Sequence, residues 1–334
     1  MKLRISIAAF MTGLLFMAAV QPAVAGDPLA EKKRTYSKSY PLAASDRVSL
    51  NNQFGEMKII PWDKNEIRVD ITIVTKASTE ELAQKIMDKI RIEDGKNGNN
   101  VYFTTKMSEM KGDWDGKKKG EYKEQGMKID YAVYMPVNVS LRATNSFGTM
   151  IVPDYRGLAE LESKFGKLTA GKLANVKSVS VEFGSAEIES ASGGSITVKF
   201  SKAAVGSLSG SVVLRVEFSD AIKIGMNNSV SSLDLKSSYS QVYLDVPNNL
   251  SASFSVHTSF GEFNNKTAFA IKEERDDDDR QGPKFDKEYS GNAGSGGNKV
   301  KIRSEFGEVT LGHNLDVDMS EKKKSKAKGT VILP

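Results

Sequence analysis

One short pattern recurs along this 334-residue chain and limits what it can become. It reads Lys164-Phe165-Gly166, Glu182-Phe183-Gly184, Lys199-Phe200-Ser201 and Glu217-Phe218-Ser219, with the aromatics 18, 17 and 18 residues apart. A fixed period of this size marks a repeat architecture, in which one unit cannot bury its apolar face without a neighbour.

Apolar residues stand two and four positions before each aromatic: Val179 and Val181, Ile196 and Val198, Leu214 and Val216. Period two in Val/Ile-rich runs predicts strands with one buried face. After the aromatic the apolar positions slip to plus three and plus five, as in Leu168 and Ala170 or Ala186 and Ile188. A straight strand keeps even offsets, so a corner or bulge falls at the Phe-Gly step. Glycine there suits positive φ or close backbone approach. Serine at 201 and 219 argues against positive φ at that position in every repeat. After Phe218 the slip grows, to Ile222 and Ile224.

The signature extends to Phe54-Gly55, Phe147-Gly148, Tyr239-Ser240, Phe260-Gly261 and Phe306-Gly307, so 8 of the 15 phenylalanines occupy one position. That concentration predicts an internal ladder of stacked rings, each burial contributing roughly 1.5–3 kcal/mol. Equivalent strands of successive windings then lie about 4.8 Å apart as parallel neighbours. The residue before the aromatic alternates Lys164, Glu182, Lys199, Glu217, a column of alternating sign if the windings stack in register. The expected fold class is all-β: a single-stranded parallel β-solenoid (β-helix or roll) with ~18-residue coils and an N-terminal β/α cap. A two-sheet sandwich is the alternative, and the repeat region lacks the hairpin turn signals it requires.

Expected boundaries follow from composition. Residues 1–25 read as a signal peptide, with Lys2 and Arg4, an apolar run and Ala23-Val24-Ala25. Residues 26–45 read as a flexible lead-in. Residues 46–135 hold N-terminal strands and a capping helix at 79–90, started by Ser78-Thr79-Glu80-Glu81 and placed over the open end of the stack. A charged mobile insertion is expected at 106–126, the solenoid at 136–312 with a loop excursion at 272–298, and a basic tail at 313–334 in which Val331-Ile332-Leu333 can add a strand.

At this point the residues resemble the bacterial “putative adhesin” family of the DUF4097 type. The likeness covers roughly residues 46–312: alternating strands with a short helix, a Pro-led strand at Pro136, then the Phe-Gly corners. The resemblance implies a secreted β-solenoid of the cell envelope without recognised catalytic residues. The charged stretches at 106–126 and 272–298 depart from it.

Candidate chemistry is sparse. His257 and His313 are the only histidines, and His257 falls in an outward phase three residues before Phe260. No nucleophile elbow, phosphate loop or zinc motif is present, and there is no cysteine for metal, disulfide or lipid attachment. Asp276-Asp277-Asp278-Asp279 is a solvated acidic loop by default and a weak Ca²⁺ contact at most, because it lacks spaced ligands. Trp114 is a solvent-exposed or ligand-stacking residue, and Lys322 to Lys328 a solvated extension or an anionic-surface contact. No catalytic, cofactor or metal residues are therefore assigned, and no cofactor is expected. Basic and acidic residues number 47 and 42, with no Lys/Arg stripe, which disfavours nucleic acid. The expected role is an exported, non-catalytic envelope or adhesion scaffold, periplasmic or at the cell surface. Its partner would be an envelope polymer or a membrane or surface protein, with neither membrane span nor lipid anchor. The alternatives are a periplasmic sensory partner of a membrane protein and, less favoured, a glycan-active β-helix enzyme.

Overall fold

The computed structural model describes residues 29–108, 126–274 and 285–319. Among these the chain is all-β with one helix. The N-terminal part runs β1 (Ala30–Pro41), β2 (Arg47–Gln53), β3 (Met57–Pro61), β4 (Glu66–Ala77), α1 (Glu80–Asp88), β5 (Ile90–Asn97), β6 (Asn100–Met107) and β7 (Gly126–Met135). The middle holds β8 (Ser140–Ser146), β9 (Thr149–Val152), β10 (Tyr155–Lys164), β11 (Lys167–Glu182), β12 (Ser185–Lys199), β13 (Lys202–Glu217), β14 (Ile222–Ser238) and β15 (Gln241–Asp245). The C-terminal part adds β16 (Ala252–Ser259), β17 (Glu262–Asn265), β18 (Ala270–Glu273), β19 (Asp286–Ala293), β20 (Asn298–Glu305) and β21 (Glu308–Gly312).

The repeats pair in parallel and in register. In β11 and β12, Leu168 lies beside Ala186 and Val181 beside Val198; in β12 and β13, Ile188 lies beside Val205 and Val198 beside Val216. Register shifts divide the long strands midway, so the first half of β11 pairs with β9 and its second half with β10. The inward residues of both halves join one continuous core that includes Leu168, Val181, Ile196, Val205 and Leu214, all at most 1% exposed. The extra residue after Phe218 is a local bulge: Ala203 pairs with Ile222 rather than with residue 221, and Ala221 takes φ 55°.

The sheet is mixed rather than uniformly parallel. At one end β4 runs antiparallel to β7, β1 antiparallel to β4, and β5 antiparallel to β6. At the other, β19 runs antiparallel to both β16 and β18. Antiparallel edges thus terminate the parallel stack at both ends and limit its use as a template for further strands.

Two expectations change here. The lead-in contains a twelve-residue strand, β1, paired along its whole length with β4. Its sequence looks unstructured because the side chains that tie it down are polar: Arg34 donates to the carbonyl of Ile90 (2.5 Å), and the hydroxyls of the half-buried Tyr36 and Tyr40 both donate to Asp94. These contacts tie β1 to β5, so the end is closed by strands as well as by α1. The helix starts at the Thr79 cap, whose side chain accepts from the N–H of Leu82 at 3.2 Å, and it packs mainly on β4 and β1. The second correction concerns 272–298, where β18 and β19 form part of the far seal instead of a plain loop.

Chain order and spatial order also part company. Strand β20 lies between β14 and β16, and β21 between β15 and β17, all parallel. The last winding in sequence is therefore slotted beneath the one that precedes it.

Candidate interaction surface

The aromatic of every corner adopts left-handed backbone geometry, from φ 49° at Tyr239 to 65° at Phe54. Each such residue costs about 1–2 kcal/mol in an L-amino acid. The conformation turns the Cβ out of the inward phase set by the preceding valines. The rings therefore project outside the corner. Phe147, Phe165, Phe183, Phe200, Phe218, Tyr239, Phe306, Phe260 and Phe285 are each 46–53% exposed. The expected ladder exists, but it is external, and core packing is not its role.

What holds the corner is repeated at every level. The N–H of Phe165 donates to the carbonyl of Glu182 (2.9 Å), that of Phe183 to Lys199 (3.1 Å) and that of Phe200 to Glu217 (3.0 Å). The next residue carries no side chain because none fits: a Cβ on Gly148, Gly166 or Gly184 would lie 1.9–2.0 Å from the glycine carbonyl oxygen of the winding below. Positive φ thus belongs to the aromatic, and close approach to the glycine. Where serine replaces it, the hydroxyl is used. Ser201 Oγ accepts from the N–H of Gly184 (3.0 Å) and donates to the carbonyl of Lys199 (2.6 Å). Ser219 and Ser240 repeat this arrangement.

The rings stack in the order Phe54, Phe147, Phe165, Phe183, Phe200, Phe218, Tyr239, Phe306, Phe260, Phe285. Centroids are 4.7–5.0 Å apart, and all steps but the last are within 6° of parallel. Phe285 was not part of the repeat pattern; it is supplied by the chain entering β19 and closes the ladder at 18°. Each stacked pair contributes about 0.5–1.5 kcal/mol beyond burial, which offsets the left-handed cost. Ring faces are consumed by neighbours. Solvent meets a line of ring edges roughly 45 Å long, at the inter-strand spacing.

Two polar columns flank the line. On the side of the preceding residue run Gln53, Ser146, Lys164, Glu182, Lys199, Glu217, Ser238, Glu305 and Ser259, in strand register. Lys164 reaches Glu182 at 3.8 Å and Glu162 at 2.8 Å, and Lys199 reaches Glu217 at 3.0 Å, as the alternating column predicted. The Glu162 hydrogen bond holds the Lys164 ammonium above its ordinary value. On the other side run Glu56, Thr149, Lys167, Ser185, Lys202, Asp220 in its bulge, Gln241, Glu308 and Glu262. A notch of about 430 Å³ opens beside the stripe between Asp220, Tyr239, Gln241, Phe306 and Glu308.

No family model matches the chain, and no curated protein matches it. Solved structures that align with the chain include a “putative cell adhesion protein” from Clostridium sporogenes, at 11% identity and TM-score 0.26 over 84% of this chain and 100% of that one. Another is a “putative adhesin” from Bacteroides fragilis, at 11% identity and TM-score 0.37 over 83% and 97%. A third, described as a “putative lipid binding protein” from Parabacteroides distasonis, aligns at 10% identity and TM-score 0.26 over 83% and 96%.

Of the sequence candidates for chemistry, the two described histidines have different partners. His257 Nδ1 lies 2.7 Å from Glu288 on the outer face, while His313 Nδ1 lies 2.7 Å from the carbonyl of Val246 with Phe269 edge-on to its ring. Trp114, Asp276–Asp279, the N-terminal 25 residues and Lys322–Lys328 fall outside the described residues. Among the described residues no three acidic or histidine side chains gather as a metal site, and no helix is long and apolar enough to cross a membrane.

Two interior features escaped the sequence reading. Asn52 and Asn145 are fully buried beneath the first rungs, where Asn52 Nδ2 donates to the carbonyl of Ile129 (2.8 Å) and Asn145 Nδ2 to that of Gly55 (3.1 Å). Their only sequence signal is position, two residues before an aromatic corner.

Proposed function

We propose that this chain is an exported, non-catalytic β-solenoid that works as a binding scaffold of the cell envelope, with the aromatic stripe as its contact surface. The observation that carries this reading is the stripe itself: nine rings, each about half exposed, in one unbroken line. Monomeric proteins seldom expose contiguous apolar patches above a few hundred Å², and larger ones mark interaction sites. Nothing in the core requires the rings to face water, and all of the nine but Phe285 bear a backbone cost to do so.

The chemistry of the stripe favours a protein partner over a glycan. Sugars bind aromatic side chains by lying on ring faces, and here the faces are taken by neighbouring rings. Ring edges flanked by charge suit apolar side chains bordered by ionic ones, the usual anatomy of a protein interface.

The test is co-sedimentation of purified protein with envelope vesicles, with a glycan array run alongside. A variant carrying Phe165→Ser, Phe183→Ser and Phe200→Ser, checked for retained β structure by circular dichroism, is expected to lose at least tenfold in vesicle binding, with no glycan signal for either protein. Equal binding by the folded variant would overturn the stripe as the surface that meets the envelope.

A further inference from the structure

We propose that the partner of the stripe is a second copy of this chain, bound antiparallel so that the two ladders face each other across a two-fold axis. This rests on the reading of the stripe as a contact surface and adds the identity of the occupant.

Charge register selects this arrangement. Take the rungs in spatial order, from Phe54 as the first to Phe285 as the tenth. A two-fold axis in the interface plane and perpendicular to the ladder sets the first rung against the tenth, the third against the eighth and the fifth against the sixth. It also keeps each flanking column against its own equivalent. At the third and eighth rungs, Lys164 then meets Glu305 and Lys167 meets Glu308. At the fifth and sixth, Lys199 meets Glu217 and Lys202 meets Asp220. At the fourth and seventh, Glu182 and Ser185 meet Ser238 and Gln241; at the second and ninth, Ser146 and Thr149 meet Ser259 and Glu262. The terminal rungs place Gln53 opposite Asp286, which pairs in register with Ser259. Among the described residues of these rungs, no like-charged pair falls opposite another.

The parallel arrangement fails the same test. An axis along the ladder exchanges the two columns at each rung, so Lys164 would face Lys167, Lys199 would face Lys202, Glu217 would face Asp220 and Glu305 would face Glu308. Like charges in apposition exclude partners and fix orientation.

Shape and area agree with the antiparallel pair. Steps of 2–6° between successive rings from Phe54 to Phe260 keep their planes nearly parallel, so the edges of two stripes can lie along each other. Nine half-exposed aromatics offer about 800–1,000 Å² before the flanking columns are counted, close to what one partner contributes to a standard interface. The notch beside Tyr239 and Phe306, walled by Asp220 and Glu308, lies opposite the partner's third to fifth rungs and would receive the ammonium ends of Lys167 and Lys202. Existing pairs such as Lys199–Glu217 (3.0 Å) are partly exposed. Exposed ion pairs contribute little, so exchanging partners across the interface costs little.

The experiment is sedimentation equilibrium on purified full-length protein with no envelope material. Wild type is expected to dimerise. Lys164→Glu with Lys167→Glu puts acids against acids and is expected to weaken the dimer at least tenfold. Glu305→Lys with Glu308→Lys puts bases against bases and is expected to do the same. Mixing the two variants restores all four contacts in a heterodimer, as does combining the four substitutions in one chain. A monomeric wild type, or homodimers of both double variants as tight as wild type, overturns the proposal. If the protein is monomeric yet the triple serine variant loses vesicle binding, the stripe is a contact surface for something else and only the second-copy assignment falls.

Discussion

A Cβ placed on Gly166 would lie 1.9 Å from the carbonyl oxygen of Gly148, one winding below. No rotamer relieves such a contact, since both partners are backbone. Gly166→Ala is therefore expected to cost at least about 3 kcal/mol, at the upper end of overpacking penalties. A Cβ on Gly126 would meet nothing within 4 Å, and Gly126→Ala should lie within about 0.5 kcal/mol of wild type. Urea midpoints of the two variants separate these outcomes, and equal midpoints would remove close approach as the reason for glycine.

Phe200 stacks on Phe183 at 4.9 Å and on Phe218 at 5.0 Å, at φ 50°. Phe200→Ala loses both stacks while keeping the strained backbone, an expected loss of about 1–3 kcal/mol. Asparagine tolerates left-handed geometry, so Phe200→Asn should be about 1 kcal/mol less harmful than alanine. The usual ranking, in which alanine is the milder substitution, would show that the backbone cost is misplaced.

The tyrosines that close the N-terminal end give a pH dependence. Hydrogen bonding to Asp94, with burial second, raises the Tyr40 phenol to about 12, and burial, then the Asp94 bond, pushes Tyr36 up as well. Both bonds need the protonated phenol. Their contribution is intact below the ordinary tyrosine value of about 10 and is lost as pH rises through about 12. Urea midpoints should fall across that window, and Asp94→Ala should lower stability at pH 8 while flattening the fall. An unchanged slope in the variant would separate the alkaline transition from this cluster.

Removal of residues 298–319 takes out β20 and β21, which separate β14 and β15 from β16 and β17. The shortened chain should keep the windings up to β15 protected, while 252–274 become open to proteolysis and hydrogen exchange. Protection of that segment in the shortened protein would mean that β16 docks directly on β14.

Much of this fold was legible in the 17- and 18-residue spacing. The apolar residues at minus four and minus two gave the buried face, the phase slip gave the corner, and Lys164 to Glu217 gave the register. The direction of the rings was not legible. Phe183 stands in even phase with Val179 and Val181, and alternation alone places it inside; only the left-handed turn at Phe183 itself turns it outward. Strand β1 was hidden for a different reason. Its pairing with β4 is carried by the backbone and its ties to β5 by Arg34, Tyr36 and Tyr40, so it lacks an apolar period. The interleaving of β20 was invisible because each corner has the same local sequence, and nothing local states which neighbour a winding will choose. The matches of Lys164 with Glu305 and of Lys167 with Glu308 depend on that spatial order, so they emerge only when Phe306 is placed before Phe260.

Because every interior step is the same height, 4.8–5.0 Å between rings, the stack behaves as a ruler graduated in units of one winding. Duplicating or deleting a middle unit would change the length of the molecule by one graduation while leaving both seals untouched. It would also shift the units on one side of the change by one graduation relative to those on the other. A lineage in which the number of units drifts would thus keep its architecture while altering the reach and the charge spacing of its exposed edge.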